Sequence, residues 1–189
     1  MTTVYFVRHA EPDKTALDDR LRPLTAKGQH DTAIVTDFLR DKNIDVVLSS
    51  PYKRAMDTVL PFANSVGLKV IAIEDFRERE AEGFVNVEDF NAFKVKQWAD
   101  FNYKTPGSES LFEVQKRNMA ALDNVLSDYN GKNIVIGTHG TALSTILNYY
   151  DNSYGYDNWK EMSSKFPWIV KMSFNGNIYV GVRTIDMFK

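Results

Sequence analysis

The sequence predicts an α/β fold, a three-layer α/β/α sandwich on a mostly parallel central sheet. Two observations predict it. Strand-like and helix-like segments alternate through most of the 189 residues, the pattern of crossover connections between parallel strands. Near the end of the chain, two strand-like runs flank Asn175-Gly176, so the sheet should finish in an antiparallel hairpin.

The elements follow in order. Thr3–Val7 is the first strand. Ala33, Ile34, Phe38 and Leu39 then recur at helical spacing after Thr25 and Gly28. Asp45–Leu48 reads as a buried strand. Ser50-Pro51 supplies an N-cap and a first-turn proline for a helix running through Val66, and Gly67 ends it. Lys69–Ile73 is the next strand. Residues 86–104 interrupt the rhythm with Phe90, Phe93, Trp98 and Phe101 among Lys94, Lys96 and Lys104, and are expected to form a helical insert outside the sheet. Ser108–Tyr129 is a long helix, Asn133–Gly137 a strand and Thr141–Tyr149 a helix. Trp168–Phe174 and Ile178–Arg183 are the hairpin. With no repeat, low-complexity tract or linker, residues 1–189 are expected to form a single domain.

Composition excludes several functions. Apolar residues make up 43% and charged residues 25% of the chain, and the formal charge is −2. No general attraction to nucleic acid or to an anionic membrane is expected, so an anionic ligand needs a local cationic cluster. Without cysteine there is no disulfide, thiolate metal site or cysteine nucleophile. Arg8 interrupts the short N-terminal apolar run, which reads as a strand and not a signal peptide. No apolar stretch approaches the ~20 residues that span a bilayer. A cytoplasmic protein is expected.

The chemistry-bearing residues recur at one structural position. Arg8-His9, Arg54, Arg77-Glu78 and His139 each follow a predicted strand. In a parallel open sheet the strand C-termini share one edge, where ligands bind. Arg8 and Arg54, the two histidines and the Glu78 carboxylate gathered there suit an oxyanion, and helix N-termini near Arg54 and His139 would add N–H donors. Taken singly these residues have duller readings: core histidines, Arg54 paired with Asp57 or Asp45, Glu78 in an exposed charged run. His30 matches no motif and reads as a surface helix residue.

At this point specific motifs appear. Val7-Arg8-His9-Ala10-Glu11-Pro12 resembles the Arg-His-Gly motif of the histidine phosphatase superfamily, which includes phosphoglycerate mutase-like enzymes. Ser49-Ser50-Pro51-Tyr52-Lys53-Arg54-Ala55 is similar to its Ser-Ser-Pro-x-x-Arg-Ala segment, Leu24-Thr25-Ala26-Lys27-Gly28 to its Leu-Thr-x-x-Gly, and Thr138-His139-Gly140 to its second histidine motif. The four come in the family's order. Two departures stand out: Ala10 replaces the usual glycine, and Thr15 stands where mutases commonly have asparagine.

The resemblance implies a metal-independent hydrolase with a phosphohistidine on His9. Arg8, Arg54, His139 and Gly140 would bind the phosphoryl oxygens, and charge-assisted bonds of ~1.5–3 kcal/mol each would stabilise the developing charge. The attacking nitrogen of His9 must be neutral, with the other N–H held by an acceptor such as a backbone carbonyl. Glu78 best fits the proton donor, with Glu80 and Glu82 as alternatives. No pair of histidines has helical zinc spacing, so neither a metal nor a cofactor is expected. The expected partner is a small phosphorylated substrate, with Tyr103, Lys104 and Phe84 as pocket guesses. Homodimerisation through the terminal hairpin is an open possibility. Mutase chemistry, a protein phosphohistidine phosphatase and a weakly catalytic phosphate-binding module are the competing functions.

Overall fold

The computed structural model describes residues 1–81, 86–185 and 187. The chain runs β1 (Thr2–Arg8), α1 (Ala26–Leu39), β2 (Val46–Ser49), α2 (Lys53–Ser65), β3 (Val70–Ala72), a 3₁₀ turn (Glu74–Phe76), α3 (Val87–Ala99), α4 (Leu111–Asp128), β4 (Asn133–Thr138), α5 (Gly140–Tyr150), α6 (Tyr156–Ser163), β5 (Trp168–Asn175) and β6 (Ile178–Ile185). The six strands form one sheet in the order β3-β2-β4-β1-β5-β6. The first four are parallel, and β5 and β6 are antiparallel to their neighbours.

Side-chain alternation along the strands builds the three layers. On β1, Val4 and Phe6 face a core closed by α4, α5 and α6 through residues such as Leu122, Leu126, Leu143 and Met162. Tyr5 and Val7 face the opposite core, closed by α1 and α2 through Val35, Leu39, Val59 and Phe62. A two-residue period carries one strand's apolar residues to both faces of a covered sheet. Arg8 shares the parity of Val4 and Phe6, so its side chain enters on the α6 side.

Three details differ from the sequence expectation. The helix after β2 starts at Lys53, and Tyr52 stands at its cap position without a side-chain cap. Ser50 is engaged elsewhere, as described below. The hairpin turns on Gly176-Asn177, one residue later than expected, with Asn175 paired to Ile178 and Gly176 at φ +57. Positive φ at the first central residue suits glycine. Helix α6 has no counterpart in the sequence reading: its residues are mostly polar, and only Trp159 and Met162 are buried. The predicted insert appears as α3, capped by Asn86. The long helix α4 starts at a reciprocal Ser110/Glu113 capping box.

Candidate active site at the strand C-termini

Register places the two histidines side by side. Arg8 pairs with Thr138 across β1 and β4, and the His9 N–H donates to the Thr138 carbonyl at 3.0 Å. On the far side of β4, the Ser50 N–H donates to the Gly137 carbonyl at 2.8 Å. Residues 9, 50 and 139 therefore leave the same sheet edge, and the His9 and His139 ring centroids lie 5.3 Å apart. Gly137 permits this closeness, because a Cβ there would meet Ser49 Oγ at 2.6 Å.

His9 is buried, and its Nδ1–H donates to the Ala10 carbonyl at 2.7 Å. That contact leaves Nε2 as the lone-pair nitrogen, which accepts from Arg54 Nε at 3.2 Å. Burial, then the Arg54 and Arg8 cations, hold His9 well below the ordinary histidine range, so the ring is neutral. Ala10 keeps ordinary backbone geometry, since Asn43 is the non-glycine residue with positive φ among those described. Its N–H donates to Thr58 Oγ1 at 2.9 Å.

The Leu-Thr-x-x-Gly segment holds the loop after His9. Thr25 caps α1 by accepting from the Gly28 N–H at 2.9 Å, and its own N–H donates to the Glu11 carbonyl at 3.0 Å. Gly28 lies so close that an added Cβ would sit 2.3 Å from the Glu11 carbonyl oxygen.

Arg54 is 3% exposed and lies in the first turn of α2. Its partner is neither Asp57 nor Asp45: Nη1 donates to the Asp19 carbonyl and Nη2 to Asp19 Oδ2 at 3.2 Å. Arg8 reaches across to the end of α6. Its Nη1 donates to the Met162 and Lys165 carbonyls at 2.6 and 2.7 Å, and Nη2 to the Ser163 carbonyl at 3.1 Å. The guanidinium stacks 3.8 Å above the Phe166 ring. Burial brings its pKa down to about 10, which leaves it charged at neutral pH. These bonds use three of its five N–H donors, and its buried Nε has no partner.

His139 is fully buried. Its Nε2 lies 2.7 Å from Ser50 Oγ, and its Nδ1 is unpartnered. Ser50 Oγ also accepts from the Tyr52 N–H at 3.2 Å; with one proton and two lone pairs, the hydroxyl serves either tautomer of the neutral His139 ring. Burial, then Arg54 and His9, keep His139 well below the ordinary histidine range. Gly140 opens α5 against Arg8: a Cβ there would sit 3.4 Å from Arg8 Nε.

The carboxylate alternatives separate. Glu78 Oε2 accepts from the Thr141 N–H and Oε1 from the Ala142 N–H, both at 3.1 Å, and Oε1 also accepts from the Arg79 N–H at 2.8 Å. Glu78 thus takes the N–H donors at the start of α5 that the sequence reading had assigned to an incoming anion. A carboxylate is well placed there by the helix dipole. Glu80 turns away to Arg77, whose Nε donates to it at 3.2 Å. Glu82, Gly83 and the pocket guess Phe84 lie outside the described residues. Of the other guesses, Lys104 pairs with Glu113 at 2.5 Å, and Tyr103 packs against Phe93 with ring centroids 5.9 Å apart. His30 is an exposed residue of α1.

Several residues at the site carried no separate mark in the sequence. Asp19 lies in a charged loop like any other, and Phe166 in an unpatterned connection. Arg117 on α4 is one of many helical charges, yet it holds the segment bearing Glu78: it donates to the Asp75, Arg77 and Glu78 carbonyls at 2.8, 2.8 and 3.1 Å, and to both oxygens of Glu109 at 2.8 Å. Ser50 was visible within its motif, but as a cap. Among the described residues no group of three or more His, Asp or Glu could hold a metal ion, and no helix is long and apolar enough to cross a membrane.

Comparison with known proteins gives the family and the fold. Residues 4–177 match the family model of the histidine phosphatase superfamily (branch 1). The chain is 31% identical over 155 residues to the uncharacterized phosphatase PhoE of Bacillus subtilis, covering 78% of this chain and 76% of that one. It is 27% identical over 161 residues to the putative phosphoserine phosphatase 2 of Hydrogenobacter thermophilus, covering 78% and 77%. It is likewise 27% identical over 159 residues to the probable phosphoglycerate mutase GpmB of Yersinia enterocolitica, covering 78% and 74%. Among solved structures, YhfR of Bacillus stearothermophilus superposes with a TM-score of 0.77 at 21% identity, covering 95% of both chains. A phosphoserine phosphatase from Entamoeba histolytica gives 0.77 at 20%, covering 100% of this chain and 98% of that one, and these two likenesses speak for the fold. The chain belongs to the histidine phosphatase superfamily, branch 1.

Proposed function

We propose that the protein is a phosphoric monoester hydrolase acting on small phosphate esters through a phosphohistidine on His9. The observation that carries this reading is the state of His9: a buried, neutral ring with Nδ1–H fixed on a backbone carbonyl and Nε2 turned toward a guanidinium. A nucleophilic imidazole needs this tautomer, and a phosphoryl group arriving beside Arg54 needs this cation.

An incoming phosphoryl oxygen takes the Arg54 Nε–H from His9, which frees the Nε2 lone pair. The unspent Arg8 Nε–H and, in its Nδ1–H tautomer, His139 are further donors to the phosphoryl oxygens. The Nε2–P bond forms as the P–O ester bond breaks, and protonated Glu78 gives its proton to the leaving alkoxide. Water then attacks phosphorus, Glu78 takes its proton, the Nε2–P bond breaks, and inorganic phosphate leaves. Every residue in this sequence of steps stands on one sheet edge, so residues 1–189 are treated as one catalytic domain. Return of the phosphoryl group to the substrate, as in a mutase, is the second reading, favoured by the resemblance to proteins named as probable phosphoglycerate mutases.

The test compares wild type with His9→Ala on para-nitrophenyl phosphate in excess EDTA, from acid to neutral pH. Release of phosphate by the wild type and its loss in the variant are expected. Equal turnover by the two proteins would remove His9 as nucleophile. Activity that vanishes in EDTA and returns with a divalent ion would remove metal independence, and isomerised ester in place of free phosphate would favour the mutase.

A further inference from the structure

Arg54 is committed before any ester arrives. Its Nε donates to His9, and both outer nitrogens are held by one residue of the loop after His9: Nη1 donates to the Asp19 carbonyl and Nη2 to the Asp19 carboxylate at 3.2 Å. Nη2 belongs to both donor edges of the planar guanidinium, side-on with Nε and end-on with Nη1. The carboxylate therefore stands beside the edge that a phosphoryl group must use to take the Nε–H from His9. The proposed chemistry gives Asp19 no part, yet Asp19 puts an anion on the cation that binds the anionic substrate.

The two halves of Asp19 are held differently. Its backbone is fixed from both flanks. Asp18 Oδ1 accepts from the Arg20 and Leu21 N–H groups at 2.9 and 3.1 Å. The Arg20 carbonyl accepts from the Lys53 N–H at 2.9 Å, and Arg20 Nη2 donates to both Glu74 oxygens at 2.8 Å. The Asp19 side chain, in contrast, is 45% exposed, and its Oδ1 lies 2.6 Å from Arg22 Nη1, closer than Oδ2 lies to Arg54. The carboxylate can thus leave Arg54 and still keep a cation and water, while the carbonyl continues to place the guanidinium.

We propose that Asp19 sets the affinity of the site for phosphate: its carboxylate takes Arg54 before an ester binds and after phosphate leaves, and draws back onto Arg22 in between. The inference rests on the phosphatase reading, in which Arg54 binds the transferring group, and adds how that group is let go. Inorganic phosphate keeps the charge and most of the hydrogen-bond acceptors of the ester, so a site built of cations alone would hold its product. An anion tethered beside the fork repels ester and product alike and competes for the same guanidinium. Such a penalty is uniform: it raises KM and relieves product inhibition without touching the chemical step.

Asp19→Asn tests this, because the amide keeps the shape, an acceptor oxygen and the backbone bond and removes only the charge. Binding of inorganic phosphate to wild type and variant is titrated by calorimetry, and kcat and KM are measured on para-nitrophenyl phosphate. The variant should bind phosphate about tenfold more tightly, ~1.4 kcal/mol, with KM lowered by a similar factor and kcat not raised. A residue that merely holds Arg54 in place would do the reverse, weakening phosphate binding and raising KM. That result, equal affinities, or no binding to either protein overturns the proposal. Asp18→Asn is the control, since it removes a neighbouring carboxylate that serves the loop's own N–H groups. Equal tightening in both variants would assign the effect to net charge and refute the contact with Arg54. Calorimetry needs no turnover, so tighter binding by Asp19→Asn supports the proposal even if the hydrolase reading fails, and a working hydrolase with unchanged phosphate affinity sinks the proposal alone.

Discussion

Arg117 sits on a helix that contributes no reacting group, yet three hydrogen bonds tie it to the segment carrying Glu78 and two more to the Glu109 carboxylate. Its replacement by methionine therefore separates holding the acid from being the acid. The side chain is 10% exposed and its partner Glu109 15%. Glu109 keeps the Arg77 guanidinium at 3.0 Å and the Glu80 N–H at 3.0 Å, so its carboxylate is not stranded. The three carbonyls recover part of their loss from water at the loop surface. Charge-assisted bonds of ~1.5–3 kcal/mol each, discounted for both recoveries, put the destabilisation at about 3 kcal/mol. A typical domain stability of about 5–15 kcal/mol leaves the variant folded, which a urea titration checks. The kinetic effect should depend on the leaving group. General acid catalysis contributes roughly 10²–10⁴-fold, and an alkoxide needs that proton far more than para-nitrophenolate does. Arg117→Met should lose about 10²-fold in kcat on an alkyl phosphate and only a small factor on para-nitrophenyl phosphate. Equal losses on both esters would refute the placement of Glu78 as acid, or of Arg117 as its support.

Two further predictions concern the residues around His9. Gly28→Ala would ordinarily stabilise a helix by about 0.5–1 kcal/mol; here its Cβ would drive into the Glu11 carbonyl, so a loss of about 1–3 kcal/mol is expected together with a fall in kcat/KM. A raised urea midpoint would contradict the close packing. His9 and His139 both have folded pKa values below the unfolded one of about 6.5. The unfolded chain therefore binds more protons below that value; the stabilisation is fully present above pH ~6.5 and is lost as pH falls toward the folded pKa values, by up to about 1.4 kcal/mol per pH unit and histidine. Urea midpoints of wild type and His9→Gln between pH 5 and 7 test this: the variant should show the shallower slope, and identical slopes would sink the reasoning.

How much of this was legible depended on whether a residue acts through pattern or through contact. The sheet could be read because burial on two faces writes continuous apolar runs into β1, β2 and β4, and the hairpin because glycine at positive φ announces itself. The turn still slipped by one residue, since Asn175-Gly176 and Gly176-Asn177 both look like turn pairs. Helix α6 was missed because docking by Trp159 and Met162 alone leaves little periodicity. That Arg8, His9, Arg54 and His139 come together could be read because each follows a strand whose end lies on a shared edge. The choice of Glu78 over Glu80 needed coordinates, since it turns on which carboxylate meets the first N–H groups of α5. Nor could the sequence disclose that Ser50 faces His139 instead of capping α2, or that Arg117 reaches three carbonyls across 40 residues.

The central position of β1 has a bearing on how the protein is made. Its neighbours are β4, residues 133–138, and β5, residues 168–175, and Arg8 waits for carbonyls at 162–165. On the ribosome, the apolar strand holding Val4, Phe6 and Val7 emerges well before β4 and β5 and remains without either neighbour until they have followed. Pairing across such separations is slow, and an unpaired apolar strand invites aggregation meanwhile. A translation product that stops before Met162 would leave β1 without β5 and Arg8 without its anchor. Such a fragment should be both chaperone-dependent and inactive, so catalysis itself certifies that synthesis has passed the end of α6.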